Sequence, residues 1–462
     1  MADDLNTLHL ADLHERAQRL GVPRFRLLDR DALIAAIGSV ADEEGDGGGV
    51  EGSGSDSAEQ PPRRRSRRGS RGGRGRGGRG RGGGRGQGEG EGRRTQAPRG
   101  ADSDDEPDDA AAADQDGDVE TEDVTGVLDR MPQGYGFLRL ADAAADEGDV
   151  YVSASQIRRC ELRAGDEIAG PARSPRRGER HRALVRVATV NGEEPGAGSA
   201  KFEDLTAVAP TRRLPLGEGA DVLTRSVDLL APLAFGQRIL VLAEPRSGRT
   251  TLLRAIAQAL SSTEADVMVL LADERPEEVT AWEQAVPDAE IVAAPADQEP
   301  TEQVHAAELA IGQAKRKAES GADVVVILDS LSRLALGYRD PSRVKRLFGS
   351  GRDLSEEGSG SLTMIATVLD SDDQGAGVRE AIETTENALI RLDAGLAAQG
   401  IVPALMVAEC RVSGENDLRS ADELNAVREL RAELDELNPE DAALALASRI
   451  KDSISNTDLL RA

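Results

Sequence analysis

ILVLAEPRSGRTTLL (residues 239–253) joins an apolar run to a Gly-containing turn and then to a segment with helical spacing. A strand, a tight turn and a helix N-terminus in that order make a phosphate cradle from backbone N–H groups and the helix dipole. Against the pattern G-x-x-x-x-G-K-[ST], Gly248 and Thr250 are kept, Ala243 stands for the first Gly and Arg249 for the Lys. The Thr250 hydroxyl is predicted to hold Mg²⁺. Alone the motif is weak, because strand–turn–helix junctions are common structural elements.

Its surroundings strengthen it. Further apolar runs recur at VMVLLA (267–272), VVVILD (324–329), LTMIATVL (362–369) and VPALMVA (402–408), separated by helical patterns that include Thr251–Leu260 and Glu302–Ser320. Runs this apolar need cover on both faces, which predicts a parallel α/β sheet from residue 222 to 462. VVVILD ends in Asp329, positioned as a metal ligand, and VMVLLA leads into Asp273-Glu274-Arg275-Pro276. Ligands of such sheets bind at the carboxyl edge. Phosphoryl transfer needs a cradle, Mg²⁺ and a carboxylate that orients or deprotonates water. Thr250, Asp329 and Glu274 supply these roles; the alternative is ordinary surface carboxylates at strand ends.

Upstream the chain changes character. The sequence has 462 residues, net charge −27 and nine aromatics, so aliphatic side chains must fill its cores. Residues 61–100 hold 14 Arg and 2 Glu, a local +12 that leaves −39 on the remainder. Two cysteines, Cys160 and Cys410, exclude a disulfide framework and a structural zinc site. With no leader and no long apolar run, a soluble, cytoplasmic chain without membrane contact is expected.

Residues 1–40 read as a small helical unit, with Leu13, Ala17 and Leu20 on one helix and Leu33, Ile34 and Ile37 on a second. It suits either a partner module or nucleic-acid contact. Residues 41–122 are Arg/Gly-rich and then acidic, a composition expected to be disordered. The arginines fit non-specific RNA binding; pairing with their own acidic flanks is the alternative. Residues 123–195 carry short alternating stretches at about ten-residue spacing, the pattern of a small β-barrel, and 196–221 reads as a linker.

Three of the nine aromatics, Tyr135, Phe137 and Tyr151, fall in the barrel segment. Tyr135 and Phe137 are two apart and project from one strand face, which Arg139 continues. Arg158, Arg159, Arg163, Arg173, Arg176 and Arg177 add positive charge nearby. Rings beside a cationic groove suit single-stranded nucleic acid; the bland alternative makes them barrel core.

These pieces, in this order, resemble the bacterial Rho family of transcription termination factors. The stretches that carry it are GVLDRMPQGYGFLR (126–139), DVYVSASQIRR (149–159), LRAGDEIAG (162–170), LLADERPEEVT (270–280), LDSLSRLA (328–335) and GSLTMIAT (360–367). The resemblance implies an OB/cold-shock-like barrel before a RecA-like P-loop core. It further implies a homohexameric ring that binds nascent single-stranded RNA and uses ATP and Mg²⁺ to release it from RNA polymerase as a helicase. It assigns RNA contact to Tyr135, Phe137, Arg139, Tyr151, Glu179 and His181. Nucleotide contact goes to Gln237, Arg238, Pro245, Arg246, Ser247, Gly248, Arg249, Thr250, Thr251, Leu252 and Arg275, with Glu274 as the catalytic carboxylate and Arg249 as a second catalytic group.

The departures fall in the motor. Arg249 replaces the Walker lysine, Ser413-Gly414-Glu415-Asn416 stands where the family has SGTR, and 371–387 is acidic where the family's second pore loop carries lysine. They support a second reading, a degenerate Rho paralogue that binds RNA and hydrolyses ATP poorly as a regulator or mixed-ring subunit. A third, an RNA-binding scaffold with a purely structural α/β domain, is disfavoured by retention of Thr250, Glu274 and Asp329.

Overall fold

The computed structural model describes residues 120–461 except 141–147, 197–199, 218–220, 339 and 371–372. The helical unit expected at 1–40 and nearly all of segment 41–122 lie outside the described residues. The described chain begins as β1 (Thr121–Arg130), which pairs on both sides, antiparallel to β2 (Gly136–Arg139) and to β4 (Glu167–Arg173). β3 (Val150–Val152) links β2 to β5 (Arg182–Leu184), and β5 returns to β4, closing a five-stranded barrel that β6 (Thr189–Val190) extends. After β3 the chain turns into α1 (Ala154–Arg159), because Ser153 and Gln156 form a capping box.

Leu128, Leu138, Val150, Val152, Ile157 and Ile168 fill this barrel, and its core holds no aromatic ring. Gly136 faces inward, where a Cβ would come within 2.8 Å of Leu128 Cδ1. Its missing side chain makes room for the core.

The second layer system is a nine-stranded sheet. β8 (Arg238–Ala243), β9 (Asp266–Glu274), β10 (Glu290–Pro295), β11 (Asp323–Asp329), β13 (Ser361–Leu369) and β14 (Ala388–Leu392) run parallel in the order β10-β9-β11-β13-β8-β14. β15 (Arg411–Val412) adds an antiparallel edge. Ile239, Val241, Val325 and Ile327 point to one face, toward α2 (Val222–Leu230), α3 (Arg249–Leu260) and α4 (Pro276–Ala285). Leu240, Leu242, Val324, Val326 and Leu328 point to the other, under α5 (Pro300–Glu319). Two covered faces explain the unbroken apolar runs, each buried Val, Ile or Leu contributing about 1.5–3 kcal/mol.

Two expectations are corrected. VPALMVA (402–408) is not a strand: Leu405 makes an isolated bridge to Leu392, and Pro403 has no N–H for a ladder. Its sheet place belongs to β14. The supposed linker 196–221 is partly core, since Phe202, Leu214 and Leu216 are buried and β7 (Ala207–Val208) pairs with β12 (Arg352–Leu354). Barrel and sheet lie in one compact unit.

Candidate functional site

Three strands deliver the predicted chemistry to one edge. β8 ends at Ala243 and passes through a turn, with Arg246 at φ 67° and left-handed Gly248 capping α3. β9 ends at Glu274 and β11 at Asp329. Arg249, first in α3, reaches across: its Nη2 lies 3.2 Å from Glu274 Oε1 and 3.2 Å from Asp329 Oδ1. Its Nη1 is buried and, among the described residues, without a partner. Thr250 follows in the same helical turn, half-buried.

The carboxylates are held in place. Asp329 is buried and accepts from Thr367 Oγ1 at 2.9 Å. Glu274 is ion-paired with Arg333, which also donates to the Asp273 carbonyl at 2.8 Å. Burial, reinforced by the neighbouring Asp329 charge, pushes the Glu274 carboxyl above its ordinary value, against the pull of Arg333 and Arg249. Arg333 and Thr367 were not singled out from sequence. Arg333 sits in α6 (Leu331–Leu334), just past Asp329 in LDSLSRLA, and that spacing was its only signal.

The rest of the predicted nucleotide set divides. Pro245, Arg246, Gly248 and Thr251 are exposed around the turn, while Ser247 and Leu252 are buried, Ser247 donating to the Glu244 carbonyl at 2.8 Å. Arg275, at the N-cap of α4, is exposed and pairs with Glu278 at 3.1 Å. Gln237 and Arg238 are corrected. They sit at the amino end of β8, six and five residues from Ala243 and so roughly 17–20 Å from its carboxyl end at ~3.3 Å per residue. Gln237 accepts from Ala234 N, and Arg238 donates to the carbonyls of Thr385 and Gly351. Both brace the opposite edge of the sheet. Among the described residues no cluster of three or more His, Cys, Asp or Glu is arranged for a metal.

On the barrel, Tyr135, Phe137, Tyr151 and His181 cluster outside the core. Tyr135 and Tyr151 have ring centroids 5.7 Å apart, Phe137 and Tyr151 6.1 Å, and Phe137 and His181 5.0 Å. All four are half-buried. Arg139 differs from expectation. It shares the face, with its guanidinium carbon 5.6 Å from the Phe137 ring centroid, yet it is buried and ion-paired with Asp129 and Asp149. It is no free cation for phosphate, because its partners sit on the neighbouring strand β1 and just before β3. Glu179 is tied to Arg173 at 2.6 Å, which with the Arg176 amide lowers its carboxyl to about 2. Of the other arginines, Arg163 pairs with Glu319, and Arg158, Arg159, Arg176 and Arg177 are exposed.

Downstream, Glu415 is held by Arg419 and Arg431 at 2.9 and 2.8 Å. The Arg419 side chain is fully buried and donates to the Asp228 and Leu229 carbonyls, so it is fixed structure. Arg411 is exposed and 3.3 Å from Glu386. No helix among the described residues is long and apolar enough to cross a membrane.

The same two blocks match known families. The Rho termination factor RNA-binding domain model matches residues 124–196, and the ATP synthase alpha/beta family nucleotide-binding domain model matches 224–351. Transcription termination factor Rho of Haemophilus influenzae is 38% identical over 364 residues, covering 72% of this chain and 86% of that protein. The Pseudomonas fluorescens biotype C protein of that name is 39% identical over 362 residues, with the same coverage. The Streptomyces lividans protein is 38% identical over 366 residues, covering 73% of this chain and 51% of its own. A solved type III secretion system ATPase aligns over 60% of this chain with TM-score 0.47 and 20% identity. A barrel of the RNA-binding type, a nucleotide-binding sheet and this level of identity agree: the chain belongs to the Rho family of transcription termination factors.

Proposed function

We propose that this chain is an RNA-stimulated ATPase that moves along single-stranded RNA as a helicase and releases nascent transcripts from RNA polymerase. It would work in the cytoplasm as a homohexameric ring of RecA-like cores topped by OB/cold-shock-like barrels. The observation that carries the reading is Arg249 Nη2 lying 3.2 Å from both Glu274 and Asp329, which joins three sequence motifs in one cleft.

ATP fits that cleft. The buried, unpartnered Nη1 of Arg249 suits a phosphoryl oxygen, and the N–H groups opening α3 suit the rest of the phosphate chain. Pro245, Arg246, Ser247, Gly248, Thr251 and Leu252 complete the cradle, with Arg275 at its rim. Mg²⁺ binds through one or two carboxylates plus phosphate oxygens and water, so Thr250 and Asp329 would hold it. When bound it neutralises charge on the phosphates. Glu274 orients and deprotonates the attacking water. On the barrel, Tyr135, Phe137, Tyr151 and His181 stack bases, with Arg139 and Glu179 beside them.

The test is ATP turnover with and without cytosine-rich RNA. Turnover that rises with RNA and is lost in Glu274→Ala supports the reading; turnover indifferent to both sinks it. A slower machine of the same kind is favoured by two features: Arg249 clasps both carboxylates, and Asn416 occupies the place of an arginine. Vigorous stimulation eliminates that variant.

A further inference from the structure

We propose that His305 is a positioning residue that transmits occupancy of the aromatic face to the nucleotide edge, through a carboxylate oxygen it shares with Arg139. The inference rests on the RNA-stimulated ATPase reading and assigns its coupling to a place in the chain.

α5 meets the barrel at three positions seven residues apart. His305 Nε2 lies 2.8 Å from Asp129 Oδ2. Gly312 lies against Gly165, where an added Cβ would fall 2.3 Å from the Gly312 carbonyl carbon. Glu319 accepts from both terminal nitrogens of Arg163, at 3.2 and 2.6 Å. A seven-residue spacing drifts only about 20° around a helix, so the three form one stripe. The lower two contacts are stiff, one backbone on backbone and one bidentate. The His305 contact is the adjustable one, with a side chain 47% exposed.

Its acceptor is already in use. Asp129 Oδ2 takes His305 and also Arg139, whose Nε is 3.1 Å away. Arg139 in turn lies beneath Phe137 and pairs with Asp149. A base stacked on Phe137 therefore bears on the side chain that competes with His305 for one oxygen. On its other flank, the start of α5 is wedged against the turn after Asp329. A Cβ on Gly337 would come within 2.2 Å of the Pro300 carbonyl oxygen and 2.6 Å of Val304. That turn, Ala335–Gly337, continues α6, whose Arg333 holds Glu274. The path thus runs by contact from Phe137 through Arg139 and Asp129 to His305, along α5 to Val304, by contact to Gly337, and along the chain to Arg333, which holds Glu274.

The groups facing His305 are Asp129 and Arg139 from the barrel, with Asp149 behind Arg139. From its own helix comes Glu308, which accepts from Tyr338 Oη at 3.0 Å. Asp129 holds the imidazole above its usual value, chiefly by hydrogen bonding. The charged pair is therefore complete at low pH and is lost as pH rises through that raised value.

The experiment uses the full chain and a cytosine-rich single-stranded RNA, measuring RNA affinity, ATP affinity, and turnover with and without RNA. His305→Ala is expected to keep RNA affinity and RNA-free turnover within about twofold while the stimulation falls at least about fivefold, the scale of a coupling between sites. Wild-type stimulation should be larger at about pH 6 than at about pH 8.5. His305→Arg, which keeps a cation for Asp129, should restore stimulation and remove that pH dependence. Stimulation unchanged in His305→Ala, or lost only in step with RNA affinity, overturns the inference while leaving the ATPase reading standing. A wild-type chain in which RNA alters neither turnover nor ATP affinity overturns both.

Discussion

Arg249 holds two carboxylates with one nitrogen, and this makes its chemistry unlike that of a lysine at the same position. The guanidinium uses Nη2 for Glu274 and Asp329 and keeps Nη1 for a phosphoryl oxygen, whereas a lysine has one compact ammonium for all three. While Nη2 is engaged, Asp329 is screened from a metal and Glu274 from water. Arg249→Lys should therefore raise RNA-stimulated turnover by about tenfold, equivalent to ~1.4 kcal/mol of barrier. Steady-state kinetics decide it, and an unchanged rate means that Arg249 does not limit the reaction. Glu274 carries a second expectation. Burial and the Asp329 charge raise its pKa, so the ionised form needed to accept a proton is lost at a higher pH than for an ordinary glutamate. Turnover should fall as pH drops through that raised value, and Glu274→Gln should flatten this limb and lower the rate by about 10²–10⁴. A pH profile with the same acid limb in wild type and Glu274→Gln would assign the limb to another group.

At the scale of elements, the barrel strand β2 does two jobs with alternate residues. Leu138 faces the core, while Phe137 faces outward to Tyr151 and His181. Because the barrel core is wholly aliphatic, Tyr135→Ala with Phe137→Ala should weaken RNA binding by several kcal/mol, at ~1–3 per stacked base. ATP affinity and the melting temperature should stay near wild type; a collapse in melting with RNA affinity retained would make the rings structural after all. The two-residue spacing of Tyr135 and Phe137 was enough to read this face, since strand alternation depends only on neighbours in the chain. The four runs that became β8, β9, β11 and β13 were legible for a similar reason, both faces being buried. Features set by distant partners were not. Arg139 looks like a free cation until Asp129 and Asp149 arrive on adjoining backbone. Gln237 and Arg238 are near the phosphate turn in sequence, but an extended strand carries them to the far edge. β7 and β12 are two and three residues long, too short for any periodicity to register.

For the whole molecule, the issue is how a chain of net charge −27 approaches a polyanion. Repulsion between like-charged partners slows encounter, and the slowing is strongest where salt is low. Residues 61–100 concentrate +12 in one stretch, so removing them takes the net charge from −27 to −39. The barrel rings would be untouched by that deletion, and on the proposed reading they would hold bases without using net charge. Two contributions to RNA binding can thus be separated by ionic strength alone. Deleting 61–100 should slow association and weaken affinity at low salt, and should flatten the dependence of log affinity on log salt, since fewer counterions are released. At about 1 M salt, where the screening length falls to roughly 3 Å, the deletion and the full chain should bind alike. Association rates measured across a salt series check this. Equal rates at low salt would mean that the arginine tract is neutralised by the chain's own acidic flanks and that the barrel alone recruits RNA.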